Sequence, residues 1–184
     1  MFEYLATIND GTARIKTIVK NLRTYTQLDC AEIKYLYVAD LVDAIVALVC
    51  TQYTELTDFE VDLHDMPEVK CDSGQINQVL MNFIVNACDA IRERQQQDSS
   101  KGLLTITNAV TNGYIEIRIA DNGGGMDEQT KQPLFEPFYT TKEVGEGTGL
   151  GLSISYGIME KHRGKLEVES TQGQGSCFVL SLPF

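Results

Sequence analysis

The sequence predicts an α+β two-layer sandwich: a mixed, mostly antiparallel sheet and three packing helices, preceded by one long N-terminal helix. Three observations predict it. Short segments alternate apolar and polar residues, the mark of half-buried strands. Tight turn signals, Asn112-Gly113 and Gly173-Gln-Gly175, join neighbouring strands as hairpins rather than crossovers. Between the strands lie longer segments with helical apolar spacing. These features favour a two-layer α+β arrangement over a doubly wound parallel sheet.

Residues 5–28 read as one helix, because Leu5, Ile8, Ile15, Ile18, Val19, Leu22 and Tyr25 mostly keep helical spacing. Gly11 costs it about 1 kcal/mol relative to Ala. A short strand is expected over Lys34 to Val38. Asp40 then reads as the N-cap of a helix from Leu41 to Tyr53. Phe59, Val61 and Leu63 alternate with Glu60, Asp62 and His64, predicting a strand that Asp65-Met-Pro67 ends. A strand at Val69 to Cys71 follows, and Asp72-Ser-Gly74 opens a central helix running to Arg94. Its broad apolar face contains Ile76, Val79, Leu80, Phe83, Ile84, Ala87, Ala90 and Ile91. Beyond the polar loop from Gln95 to Gly102, Leu104 and Ile106 mark one strand, and Tyr114, Ile115, Ile117 and Ile119 mark its hairpin partner. Asp121 to Gly149 reads as loop. A helix from Leu150 to His162 and strands at Lys165 to Ser170 and Ser176 to Leu182 complete the fold. Residues 1–30 are separated on this reading from a domain at 31–184.

At 184 residues and 43% hydrophobic content, the chain can fill one full core and carry an appendage. Its net charge of −11 opposes binding to nucleic acid or an anionic membrane. No apolar run approaches the roughly 20 residues of a membrane span, and the N-terminus lacks signal-peptide features. The five cysteines, Cys30, Cys50, Cys71, Cys88 and Cys177, have no metal-site spacing and read as reduced, mostly packed thiols. His64 and His162 read as surface or structural residues.

Candidate chemistry lies between Gln75 and Gly151. On the central helix, Asn82 and Asn86 stand four residues apart although Asn is a poor helix former, and an amide offers a hard oxygen ligand together with donors. Asp121-Asn-Gly-Gly-Gly-Met126 follows a strand. Taken alone it is an ordinary turn, but Asp121 is an acceptor suited to an exocyclic amine, and Gly123 and Gly125 permit close backbone approach. Phe135, Phe138 and Tyr139 flank Pro137 and read as packing anchors at the base of a lid. Lys142 offers a cation to phosphate. In Gly145-Glu-Gly-Thr-Gly-Leu-Gly-Leu152, alternating glycines precede a helix start, so N–H groups can face an anion. No Gly-Lys-Ser/Thr ends this stretch, so it is not a Walker A loop.

Together, in this order and spacing, the four patches resemble the N, G1, F and G2 boxes of sensor histidine kinases, in the wider fold family of DNA gyrase, Hsp90 and MutL. The resemblance implies the Bergerat ATP-binding sandwich and the cofactors ATP and Mg²⁺. It implies that Asn86 holds Mg²⁺ and that Asp121 selects adenine. Gly123, Gly125, Met126, Lys142, Gly147, Thr148, Gly149, Leu150, Gly151, Leu152 and Ser176 complete the expected ATP site. Asn82 occupies the place of the water-activating glutamate in the gyrase and Hsp90 branches. An amide cannot serve as a general base, so a kinase is favoured over a hydrolase. Asn82 and Asn86 are accordingly the expected catalytic residues.

Residues 8–26 resemble the second helix of the kinase dimerisation and phosphotransfer hairpin. The implied activity is transfer of the γ-phosphoryl to a histidine on a hairpin helix absent from this chain. The alternative is a non-catalytic ATP-sensing module. Implied partners are the phosphoacceptor hairpin, a response-regulator receiver domain and, in the full-length protein, a second copy as homodimer. The expected setting is cytoplasmic, or the cytosolic part of a membrane-bound kinase. Asp89 departs from the pattern, since many family members carry a cation there. Its carboxylate would repel ATP unless it faces solvent or metal, and Arg92 or Lys142 is the expected source of the charge missing at the phosphates.

Overall fold

The computed structural model describes residues 33–184 except 54, 97, 99 and 143–146. The expected N-terminal helix, Cys30, Gly145 and Glu146 lie outside the described residues.

Among the described residues, seven strands and four helices follow in order. They are β1 (Ile33–Leu36), α1 (Val38–Tyr53), β2 (Thr57–Asp62), β3 (Val69–Asp72), α2 (Ser73–Gln95), β4 (Gly102–Thr111), β5 (Tyr114–Asp121), α3 (Glu128–Lys131), α4 (Gly151–Lys161), β6 (Lys165–Thr171) and β7 (Gly175–Pro183). The main sheet has five strands in the order β2-β4-β5-β7-β6; β1 and β3 form a separate antiparallel pair. In the main sheet only β2–β4 is parallel, the other three pairings being antiparallel. The expected mixed, mostly antiparallel sheet under three helices is therefore the observed one, with one-turn α3 added inside a span read as loop.

Several boundaries move. Asp40 is not the N-cap of α1, because the helix starts two residues earlier and Asp40 lies in its first turn. A carboxylate there still complements the positive helix end. Val38, expected in the strand, is fully buried at the start of α1. By contrast α2 opens where expected, at Asp72-Ser-Gly74, and Asp72 is its N-cap: its Oδ1 accepts from Gly74 N (2.8 Å) and Gln75 N (3.1 Å). Asn112 and Gly113 have φ of 51° and 81°, as a two-residue hairpin turn between β4 and β5 requires.

The core lies between sheet and helices. Ile76, Val79, Leu80, Phe83 and Ile84 of α2 are fully buried against Leu104 and Ile106 of β4, Ile115 and Ile119 of β5, and the inner residues of β7. Each such side chain contributes about 1.5–3 kcal/mol by leaving water. The Phe83 and Phe178 rings meet at 4.6 Å, joining α2 to β7.

His162 ties α4 to the start of α2. Asp72 N donates to His162 Nε2 (3.1 Å), while Nδ1 lies 2.8 Å from Ile158 O, which fixes the proton on Nδ1. His162→Ala should cost about 1–2 kcal/mol, read by urea unfolding. An unchanged midpoint would deny this tie.

Candidate functional site

Three separate loops seat on one polar stripe of α2. The stripe follows from sequence: positions 82, 86 and 89 share a helix side, adjacent to the apolar face that buries Phe83 and Ile84.

The first loop leaves β5. Along β5 burial alternates strictly, with Ile115, Ile117, Ile119 and Asp121 all facing inward. Asp121 is thus the last core-facing position of the strand, one step beyond the alternation read from the sequence, and is only 8% exposed. Its Oδ1 accepts from Gly123 N at 2.8 Å, closing the expected Asp-Asn-Gly turn. Burial pushes its pKa up from 3.8 to about 6, while hydrogen bonds from the Gly123 and Ser176 backbone pull the other way. No lysine or arginine pairs with it among the described residues. Ser176 stands opposite Asp121 in the β5–β7 register, so the structure brings this pair together.

The glycines of this loop are held tightly. A Cβ at Gly123 would lie 2.8 Å from Ala90 Cβ, so the loop abuts α2 one turn beyond Asn86. Gly125 has φ of +64°, and a Cβ there would come within 2.0 Å of Thr171 O. Ser170, which the sequence did not single out, fastens the loop to the β6–β7 hairpin. Its Oγ accepts from Met126 N (2.8 Å) and donates to Gly175 O (3.1 Å). Asn122 fixes the opposite side, accepting from Leu103 N through Oδ1 (2.8 Å) and from Arg94 through its backbone carbonyl.

The second loop leads into α4. Asn82 Nδ2 donates to Gly151 O (3.1 Å) and Ser155 Oγ (3.0 Å). The amide nitrogen is therefore spent on locking α4 to α2, leaving Oδ1 as its remaining polar atom. Ser155, fully buried, escaped sequence reading; its place one turn after Gly151 is the only signal that could have found it. Leu150 caps α4 without a side-chain hydrogen bond, so the N–H groups of the first turn keep donors for an anion. Gly147, Thr148 and Leu152 line the approach to this turn and are half-buried, whereas Leu150 is buried. Gly149, with φ of +64°, sits so near Phe138 that a Cβ would come within 2.4 Å of its backbone.

The third is the lid segment. Of the three aromatics expected as anchors, Phe135 meets the Tyr156 ring at 5.5 Å and Tyr139 is half-buried. Phe138 is 73% exposed and does not pack as expected. Its φ of 69° turns the chain, and it is held by its backbone, N–H donating to Gly149 O (2.9 Å). Leu134 is the buried residue here instead. Lys142 Nζ lies 2.5 Å from Asp89 Oδ2, and Arg92 stands 3.0 Å from Oδ1. The carboxylate that departed from the pattern is buried rather than solvent-facing, and it pairs with both of the cations expected to serve the phosphates.

Asn86 is half-buried on the same stripe, between Asn82 and Asp89. The stripe and its loops gather an acceptor-only carboxylate, two amides, an ammonium and free helix-end donors, a set suited to a base with an exocyclic amine bearing phosphates. Burial pushes the Cys71 and Cys88 thiols up to about 11 and about 12, which keeps them protonated and unreactive. A surface depression of roughly 320 Å³ beside Tyr156, Met159 and Lys165 contains none of the expected site residues.

Comparison with known proteins agrees with this geometry. Residues 71–184 match the family described as histidine kinase-, DNA gyrase B- and HSP90-like ATPase. Over 121 residues, 66% of the chain, it is 40% identical to sporulation kinase E of Bacillus subtilis strain 168 and spans 15% of that protein. It spans 25% or less of the first curated relatives it matches. The solved catalytic domain of histidine kinase ThkA superposes with a TM-score of 0.70 at 28% identity, over 83% of this chain and 95% of that one. ThkA in complex with the response regulator TrrA gives 0.75 at 26%, over 98% and 50%. With the matched segment covering α2, all three loops and the sheet strands that carry them, the chain belongs to the histidine kinase-, DNA gyrase B- and HSP90-like ATPase family.

Proposed function

We propose that residues 31–184 are the catalytic and ATP-binding unit of a sensor histidine kinase. They hold Mg-ATP and present its γ-phosphoryl to a histidine on a separate phosphoacceptor hairpin. The observation that carries this reading is Asp121, a buried carboxylate held by backbone N–H groups alone. Such a group is costly unless a ligand uses it, and an ionised carboxylate accepts well from an adenine amine.

The remaining residues take roles consistent with their chemistry. The Asn86 amide oxygen fits a Mg²⁺ ligand, and the ion, when bound, neutralises phosphate charge. Asn82 positions α4 against α2 and supplies no base. Water is therefore left unactivated while ATP waits for the acceptor. Backbone donors at the start of α4 and the ammonium of Lys142 stabilise charge on the phosphates. A response-regulator receiver domain is the proposed recipient downstream, supported by the similarity to ThkA, which was solved with its regulator. No described helix is long and apolar enough to cross a membrane, and a cytosol-facing location is proposed with the kinase reading.

Calorimetric titration should show ATP binding strengthened by Mg²⁺, with Asn86→Ala losing about tenfold in Mg²⁺ and little without it. Labelled ATP should phosphorylate an added cognate hairpin. Binding without any transfer would favour an ATP-sensing module instead, and steady turnover by the chain alone would overturn the non-hydrolytic assignment.

A further inference from the structure

Asp89 and Lys142 are 53 residues apart in sequence, yet they form the contact that joins the lid to α2. Asp89 is 9% exposed and uses both oxygens. Oδ1 accepts from Arg92 (3.0 Å) and from the Tyr53 hydroxyl (3.2 Å), and Oδ2 accepts from Lys142 Nζ (2.5 Å). Arg92 is an exposed neighbour one turn along α2 and Tyr53 stands at the end of α1, so both belong to the helices; Lys142 alone among its partners belongs to the lid. The lysine is oriented as well: its backbone N–H donates to Thr140 Oγ1 (3.2 Å). Across the 143–146 segment, a Cβ at Gly147 would lie 2.4 Å from Thr140 Oγ1 and 3.2 Å from Lys142 Cβ. Gly147 therefore packs against Thr140 and Lys142, and Asp89 holds Lys142 in that contact.

From this geometry we infer that Asp89 is a positioning residue: it clasps the stem of the lid and aims the Lys142 ammonium at the phosphates of the nucleotide. An ammonium has three donors, and the carboxylate uses one, so the same lysine can bridge Asp89 and a phosphate oxygen. The orientation role makes a prediction opposite in sign to simple electrostatics. A carboxylate beside a triphosphate that did nothing but repel would, on becoming an amide, improve ATP binding. A carboxylate that places the phosphate-binding cation would, on the same change, weaken it.

The ligand part rests on the nucleotide reading above; the clasp does not. Two measurements on the full chain separate them. In nucleotide-free protein, amide hydrogen exchange over residues 134–142 should speed at least fivefold in Asp89→Asn and equally in Lys142→Met, with no further gain in the double variant. Arg92→Gln and Asp89→Glu should leave it near wild type. Exchange unchanged in Asp89→Asn, or additive in the double variant, overturns the clasp. In ATP titrations, Asp89→Asn should weaken binding about tenfold, with ADP affected less, and the loss should vanish in a Lys142→Met background. Tighter or unchanged ATP binding by Asp89→Asn overturns the positioning role. If wild type binds no ATP, the proposed function and the aiming of Lys142 at phosphate fall together, and the exchange result alone decides the clasp.

Discussion

Asp121→Asn is expected to lose ATP binding by on the order of 100-fold while becoming more stable at neutral pH. The affinity loss follows from replacing an acceptor-only group with an amide that can present a donor to the adenine amine; hydrogen bonds to charged groups contribute about 1.5–3 kcal/mol. The stability gain follows from proton linkage. Burial raises the folded-state pKa of Asp121 to about 6, so folding favours its protonated form. That contribution is fully present below the ordinary value of 3.8 and is lost as pH rises through about 6. Above that range the ionised group costs the fold roughly 1–3 kcal/mol, which an amide does not incur. The variant should therefore melt a few degrees higher than wild type at pH 8, with the difference shrinking as pH falls through about 6 and gone below 3.8. Wild-type ATP binding should weaken as pH falls through about 6, where the acceptor gains its proton. Paired thermal melts and titrations across pH test both halves. Undiminished ATP affinity in Asp121→Asn would remove this residue from the adenine site.

Gly125→Ala should destabilise the domain by about 3 kcal/mol and take nucleotide binding with it. Two costs combine. The φ of +64° is strained for any residue with a Cβ, and that Cβ would approach Thr171 O to 2.0 Å and Gly175 O to 3.0 Å. The clash pushes the Asp121 loop off the β6–β7 hairpin that Ser170 fastens to it. Gly124→Ala is the matched control, because a Cβ there meets nothing within 4 Å. If the two variants unfold at the same denaturant concentration, the seating of the loop is not what the geometry indicates.

What could be read from the sequence was local. The start of α2 at Asp72-Ser-Gly74 and the Asn112-Gly113 turn were both legible, since each is decided by residues within four positions of one another. The span of α2 was legible because its 3.6-residue period outlasts any competing pattern. Long-range pairing was not. The parallel alignment of β2 with β4, in which Phe59 faces Leu104, leaves no periodic trace in either strand. Asp121 as the final inward residue of β5 was hidden by its charge, which breaks an apolar alternation without breaking the pleat. Phe138 looked like an anchor because aromatic residues are more often buried. Its exposure comes from a backbone turn at φ 69° that side-chain type does not encode. Arg92 and Lys142 were legible only as candidate cations for the phosphates, and that both pair with Asp89 was not legible. That Tyr53 also donates to it depends on where α1 ends against α2, which is a fact of packing.

Among the described residues the main sheet ends at β2 and β6, and both strands carry exposed carboxylates. Asp58, Glu60 and Asp62 stand exposed along β2, and Glu167 and Glu169 along β6. Although Lys101 pairs with Asp58 and Arg118 with Glu169, two copies meeting margin to margin would bring Glu60, Asp62 and Glu167 close to like charge, which disfavours the strand pairing that exposed β-edges invite. Part of the −11 net charge thus guards the chain against self-association as ribbons. Because those carboxylates are solvent-exposed, added salt weakens the guard: the screening length falls from about 8 Å at physiological ionic strength to about 3 Å at 1 M.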